Sequence, residues 1–246
     1  IARRREPSRM ERTRPNGRVI QVDHNPMPGG GYVATYTDIT ERKQTEARMR
    51  HLAVHDVLTS LPNRTLFLDR LRQALLSARR FQRGVTVLFV DLDRFKDIND
   101  HFGHDVGDLM IQEMGQRLSR IIRDSDTAAR LGGDEFAIIQ TDVQNIEDTI
   151  ALAQRIIDEL CQPFDCRGIR LHSTASVGIT LFPEDGENPE QLVKNADMAM
   201  YAAKAEGRNN YRFFLPAMHE RVKERKTIEE DLRNALEYDQ LELYYQ

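Results

Sequence analysis

Three observations predict an α+β domain built around a βαββαβ core. The run Val85 to Val90 is apolar apart from Thr86, as in a strand buried on both faces. Two short β-type segments, Thr127 to Leu131 and Phe136 to Gln140, flank a Gly-Gly turn. Helical stretches with one apolar face separate these segments from each other and from a β-rich run over Ile169 to Phe182. This alternation gives a split-βαβ order, with an extra helix in front, a helix and strand behind, and an antiparallel or mixed sheet packed against helices.

Taken in order, Arg18 to Asp23 and Tyr32 to Thr37 are β-rich and are separated by His24 to Gly31, which holds two prolines and three consecutive glycines. The pattern predicts two antiparallel strands joined by a loop, with the glycines as loop and not as a phosphate-binding turn, because a strand and not a helix follows them. A segment of about 40 residues is near the lower limit for independent folding, so it reads as the end of a larger domain. Thr40 is expected to cap a helix through Val54; Lys43 stands where a capping box needs an acid or Gln. Its few apolar residues, Ala47, Met49, Leu52 and Ala53, fit either a solvated linker or a helix that pairs with its copy.

A helix from near Asn63 is predicted to carry Leu66, Leu68, Leu71, Leu75 and Leu76. Met110, Met114, Leu118 and Ile121 mark a second, and Leu152, Ile156 and Leu160 a third. A fourth carries Leu192, Ala196, Met200 and Ala203, before a short strand near Tyr211 to Phe214. Beyond Pro216, Glu220 to Leu236 reads as a charged helix and Leu241 to Tyr245 as the start of another strand. The chain opens at Ile1 and stops in mid-pattern at Gln246, and is expected to be a piece of a longer protein.

The 246 residues, 40% hydrophobic and 30% charged, allow one full domain with appendages or two small ones. Two cysteines, Cys161 and Cys166, exclude a disulfide scaffold and point to a reducing, cytosolic setting. No run approaches the roughly 20 apolar residues of a membrane span. The net charge is −4, yet the first 50 residues carry +5 and the rest −9, which argues against a broad nucleic-acid surface. Phosphates, if handled, need a few placed cations and a metal.

Three sites can carry chemistry. Asp91 ends the buried strand, where a carboxylate is placed to hold a hard cation such as Mg²⁺. Gly132-Gly133-Asp134-Glu135 is ordinary turn chemistry taken alone, but it adds two carboxylates that can meet Asp91, giving three. Lys204 and Arg208 lie at a helix end closed by Gly207, where cations serve the helix dipole or hold phosphates. His101 and His104 lack a cysteine partner for zinc, and there is no P-loop signature.

Four segments carry a resemblance: His55 to Arg64 (HDVLTSLPNR), Asp91 to Asp108 (DLDRFKDINDHFGHDVGD), Arg130 to Phe136 (RLGGDEF) and Tyr201 to Asn209 (YAAKAEGRN). Together they resemble the GGDEF family of diguanylate cyclases over roughly residues 50 to 215. The resemblance implies a nucleotidyl-cyclase, palm-like and ferredoxin-like fold whose mixed sheet is flanked by helices. It implies Mg²⁺ or Mn²⁺ held by Asp91, the Leu92 carbonyl, Asp134 and Glu135, with Glu135 a candidate base. It implies guanine read by Asn99 and Asp108, with Phe95 beside the substrate, and phosphates held by Lys96, Lys204 and Arg208. An amide and a carboxylate suit guanine, whose N1 and N2 hydrogens need an acceptor.

The implied reaction condenses two GTP into cyclic di-GMP and two pyrophosphates across a homodimer, without nucleic-acid or membrane contacts from this segment. Arg123 and Asp126 stand where the family places its RxxD site for cyclic di-GMP as inhibitor; an exposed salt bridge at a helix end is the plainer alternative. Gly31 to Arg42 resembles the close of a PAS sensor, and Leu232 to Gln246 the opening of an EAL phosphodiesterase domain. The expected domains are therefore a PAS remnant (1–40), a linker helix (41–54), the cyclase domain (55–215) and a linker with the first EAL strand (216–246). The rival reading is a non-catalytic module that binds GTP or cyclic di-GMP and regulates an adjacent EAL domain.

Overall fold

A computed structural model describes residues 6–28, 31–218, 235 and 240, in two units, Ile1–Val54 and His55–Gln246. The expected helix Glu220 to Leu236, apart from Ala235, the strand Leu241 to Tyr245, and Gly29 and Gly30 lie outside the described residues.

In the first unit, strands β1 (Ser8–Thr13), β2 (Val19–Pro26) and β3 (Tyr32–Asp38) form an antiparallel sheet in that order, followed by helix α1 (Thr40–Val54). The sequence pattern gives β2 and β3 but not β1, because every residue of β1 is exposed and none alternates in hydrophobicity. Charge pairing holds β1 instead: Arg9 meets Asp23 at 2.7 Å and Lys43 meets Glu11 at 2.7 Å. The expected Thr40 cap is corrected, since it is the Asp38 carboxylate that accepts from the Thr40 N–H, at 3.0 Å. The Thr40 hydroxyl donates to the same carboxylate and accepts from the Val19 N–H. Met49 and Leu52 are exposed.

The second unit contains α2 (Arg64–Phe81), β4 (Gly84–Leu92), α3 (Phe95–Phe102), α4 (His104–Ile121), β5 (Thr127–Gly132) and β6 (Glu135–Val143). It continues through α5 (Ile146–Leu160), β7 (Phe164–Cys166), β8 (Ile169–Leu171), β9 (Ala175–Phe182), α6 (Pro189–Ala205) and β10 (Tyr211–Phe213). The central sheet has the order β10-β9-β4-β6-β5, antiparallel throughout except for β10 beside β9, and β7 and β8 form a separate hairpin. This is the expected α+β, βαββαβ core with a mixed sheet flanked by helices.

Side-chain parity on β4 decides what faces what. Leu88, Val90 and Leu92 pack with Met110, Met114 and Leu118 of α4 and with Leu152 and Ile156 of α5. Val85, Val87 and Phe89 pack on the other face with Phe67 and Leu71 of α2 and with Leu192 and Ala196 of α6. Asp91 therefore emerges on the α2 and α6 side. The stripe expected on α2 shifts: Phe67, Leu71, Leu75 and Ala78 are its buried residues, while Leu76 is 67% exposed. Asn63 caps this helix, its side chain accepting from the N–H groups of Thr65 and Leu66. Among the described residues no helix is long and apolar enough to cross a membrane.

α6 lies against the backbone of β9 at Gly178, where a Cβ would fall 1.9 Å from the Ala196 carbonyl oxygen and 2.2 Å from the Met200 nitrogen. Both neighbours are backbone atoms inside a helix and cannot step aside singly. Gly178→Ala is expected to destabilise the unit by about 1–3 kcal/mol, the usual cost of overpacking, as a lower midpoint in urea unfolding. An unchanged midpoint would contradict this packing.

Candidate active site

The end of β4 carries two buried carboxylates, Asp91 and Asp93. Asp91 is only 5% exposed, and Lys204 of α6 places its Nζ 2.6 Å from Asp91 Oδ1. Burial pushes the Asp91 carboxyl up to about 6; the Lys204 ammonium pulls against this, while Asp134 and Asp93 add to it. Glu135 stands opposite Asp91 in the β4–β6 register, and burial, then Asp197 and Asp134, raise its carboxyl as well. A cavity of about 370 Å³ brings together Asp91, Leu92, Phe95, Lys96, Asp134, Lys204 and Arg208. A neighbouring cavity of about 490 Å³ shares Arg208 and extends past His172 and Asn209.

Two clamps hold this arrangement, and neither is assigned a role by sequence. Asp93 is buried, and its carboxylate accepts from the Thr174 hydroxyl at 2.7 Å, the Ser176 hydroxyl at 2.7 Å and the Asn209 N–H at 3.1 Å. It thereby joins the end of β4, the start of β9 and the loop that carries Arg208. Arg130 is the second clamp. Its Nη1 donates to both Asp56 oxygens, at 3.0 and 3.1 Å, while Nε and Nη2 donate to the Gly133 carbonyl at 3.0 and 2.7 Å. The HDVLTSLPNR segment thus anchors the Gly-Gly turn from a distance in sequence. Gly133 adopts φ 52°, a left-handed conformation that suits glycine.

Asn99 and Asp108 are not among the residues lining either cavity; they lie on the facing helices α3 and α4, joined through Gly103 at φ 85°. The Asn99 Oδ1 is buried and has no hydrogen-bond partner. It lies so close to Gly107 that a Cβ there would come within 1.9 Å, and the Phe95 ring is the next side chain met, at 3.2 Å. Phe95, Asn99 and Gly107 thus pack together beside the exposed Asp108. Arg123 and Asp126 are at a separate place, the turn between α4 and β5. Asp126 is 8% exposed and accepts from the N–H groups of Arg123 at 3.3 Å and Thr141 at 3.2 Å, whereas Arg123 is exposed.

The donor set at the strand end is all oxygen, and Asp91 is a desolvated carboxylate among other acids, which fits a hard divalent cation. Among the described residues no three His, Cys, Asp or Glu side chains group as a metal cage. The Asp91 oxygen is engaged by Lys204 instead. Mg²⁺ suits such a site better than a full cage, since it takes one or two carboxylates and fills its shell with waters and substrate phosphates.

The α+β palm-like fold, with acids and cations at the end of its central strand, matches a known family. The model of the diguanylate cyclase GGDEF domain matches residues 53–210, and that of a PAS fold matches residues 1–47. The chain belongs to the GGDEF family. It is 43% identical over 207 residues to the bifunctional diguanylate cyclase/cyclic di-GMP phosphodiesterase MucR of Pseudomonas aeruginosa, covering 84% of this chain and 30% of that protein. It is 39% identical over 244 residues to the cyclic di-GMP phosphodiesterase NbdA of the same organism, covering 99% of this chain and 28% of that one. The chain therefore spans less than a third of either relative.

Among solved structures, the GGDEF domain of TpbB (YfiN) from Pseudomonas aeruginosa matches with a TM-score of 0.67 and 39% identity, over 69% of this chain and 99% of that one. The coiled coil and GGDEF domain of DgcB from Caulobacter crescentus, in complex with c-di-GMP, matches with a TM-score of 0.65 and 28% identity, over 71% and 93%.

The Asp56 clamp has a pH signature. Burial alone would raise the Asp56 carboxyl, but the Thr59 hydroxyl and N–H and the Arg130 guanidinium outweigh it and hold the carboxyl below its ordinary 3.8. A depressed native pKa stabilises fully above the ordinary value and is lost as the pH falls through the lowered one. The wild-type unfolding midpoint is expected to fall more steeply than that of Asp56→Asn below about pH 5. Parallel curves would contradict the clamp.

Proposed function

We propose that residues 55–215 form a diguanylate cyclase domain that condenses two GTP into cyclic di-GMP and two pyrophosphates, with each half of a homodimer holding one GTP. In this reading a PAS-type sensor remnant (1–40) and a signalling helix (41–54) precede it, and a linker with the start of an EAL domain (216–246) follows, in a cytoplasmic segment. The observation that carries the reading is the cavity in which Asp91, Leu92 and Asp134 face Lys96, Lys204 and Arg208. Acids and cations in one small space suit a polyphosphate with its counter-ion.

Asp91, the Leu92 carbonyl, Asp134 and Glu135 would hold Mg²⁺ or Mn²⁺. When bound, the ion supplies charge neutralisation on the phosphates and acidifies the attacking hydroxyl. Lys96, Lys204 and Arg208 hold the outer phosphates, so Lys204 exchanges part of its pairing with Asp91 for substrate oxygens. Asn99 and Asp108 take the guanine edge, and Phe95 lies beside it. Glu135 receives the proton of the 3′-hydroxyl as that oxygen bonds to the α-phosphate of the opposing GTP and pyrophosphate leaves. The same step from the second nucleotide's 3′-hydroxyl to the first one's α-phosphate releases the second pyrophosphate and closes the ring. Arg123, exposed, and Asp126, with unused lone pairs, form the RxxD site for the product.

A second reading is favoured by one observation: NbdA, similar over nearly the whole chain, is named a phosphodiesterase. On that reading the domain binds GTP or cyclic di-GMP and regulates an adjacent EAL domain without turnover. The two separate on incubation with GTP and Mg²⁺. The cyclase reading expects cyclic di-GMP, with Asp134→Asn lowering its formation at least about 100-fold while the fold persists. GTP binding without product in a dimeric sample would overturn it. Arg123→Ala is expected to abolish inhibition by added cyclic di-GMP with turnover retained; undiminished inhibition would remove the RxxD assignment.

A further inference from the structure

Arg117 lies on α4, nine residues beyond Asp108, and is 5% exposed. Its donors are spread over several elements. Nε donates to Glu113 Oε1 at 2.8 Å, Nη1 to the carbonyls of Glu159 at 2.9 Å and Gln162 at 2.5 Å, and Nη2 to the Pro163 carbonyl at 3.2 Å. The guanidinium also stands over the Phe164 ring, 5.7 Å from its centroid. One side chain of α4 thus gathers the end of α5 and the turn into β7. A planar fork can serve three carbonyls in fixed directions, whereas an ammonium is a point charge.

The β7–β8 hairpin that starts at this turn does not belong to the central sheet. Its apolar side is nevertheless buried: Cys166 and Leu171 pack with Val106, and Ile98, Leu109 and Phe164 pack against them. Ile98 adjoins Asn99, and Val106 adjoins Gly107, the two residues that meet between α3 and α4. A contiguous set of packed groups therefore runs from the Arg117 guanidinium through the hairpin to the chain neighbours of Asn99 and Gly107.

We propose that Arg117 is a positioning residue and the β7–β8 hairpin a buttress, which together set the α3–α4 junction at Asn99 and so govern base recognition while leaving the phosphate subsite unaffected. This rests on the reading that Asn99 and Asp108 take guanine. Arg117 touches no substrate; it acts through the hairpin.

Binding of 3′-deoxyGTP, which lacks the hydroxyl needed for condensation, reports occupancy without turnover, and inorganic triphosphate reports the phosphate half alone. Arg117→Lys is expected to weaken 3′-deoxyGTP about tenfold and leave triphosphate unchanged. Leu171→Ala, which removes the hairpin's packing against Val106 and Ile98, is expected to give the same selective loss, and carries the test by itself if Arg117→Lys does not fold. Folded variants that bind 3′-deoxyGTP as the wild type does, or that lose both probes in equal proportion, would overturn the proposal. Asn99→Ala locates a failure. If it costs 3′-deoxyGTP affinity and the buttress variants do not, the positioning role is wrong and the guanine reading stands. If it costs nothing either, the guanine reading has failed and takes this inference with it.

Discussion

A buried strand that ends on a carboxylate sets the terms for the second unit. β4 is covered on both faces, and parity turns Asp91 toward α6 at the point where that cover runs out. A desolvated carboxylate must be paired or neutralised. Lys204 provides the pairing, and it reaches Asp91 because Gly178 lets α6 press directly on the backbone of β9. A cation-seeking site is thereby built from packing and not from a loop of ligands. On the cyclase reading, this ion pair is where substrate phosphates and their counter-ion would compete for the same groups.

Rigidity around that point comes from polar clamps more than from apolar contact. Asp93 joins three segments through hydroxyl and backbone donors, so the loop bearing Arg208 is fixed relative to β4. Arg130 spans from Asp56 to the carbonyl of Gly133, which fixes the turn presenting Asp134. Each clamp is satisfied within the chain, whereas Asn99 Oδ1 is buried without a partner. Fully bonded polar groups specify geometry.

The βαββαβ order, the buried strand and three of the helical faces were legible because burial imposes period 2 on strands and 3.6 on helices. β1 was not, since its six exposed residues carry no alternation and pair only by hydrogen bonds and charge. α3 was not read as a helix: it has eight residues, no side-chain cap, and Arg94 at φ 58° before it. On α2, Leu76 matched Leu75 in type but not in direction, and Phe67 was the buried partner instead. Site residues at the strand end, the turn and the end of α6 could be named from motifs. The work of Asp56, Asp93, Arg117 and Arg130 could not, because their partners lie far away in the chain and only folding brings them together.

The central claim is that one chain supplies half a site and that bond formation needs two. The most direct measurement is the rate of cyclic di-GMP formation from GTP and Mg²⁺ per mole of protein as protein concentration is raised. Two facing half-sites predict a specific activity that climbs with concentration and levels off as dimers saturate. A specific activity independent of concentration in a sample shown to be monomeric, or no product at any concentration from a stable dimer, would contradict it.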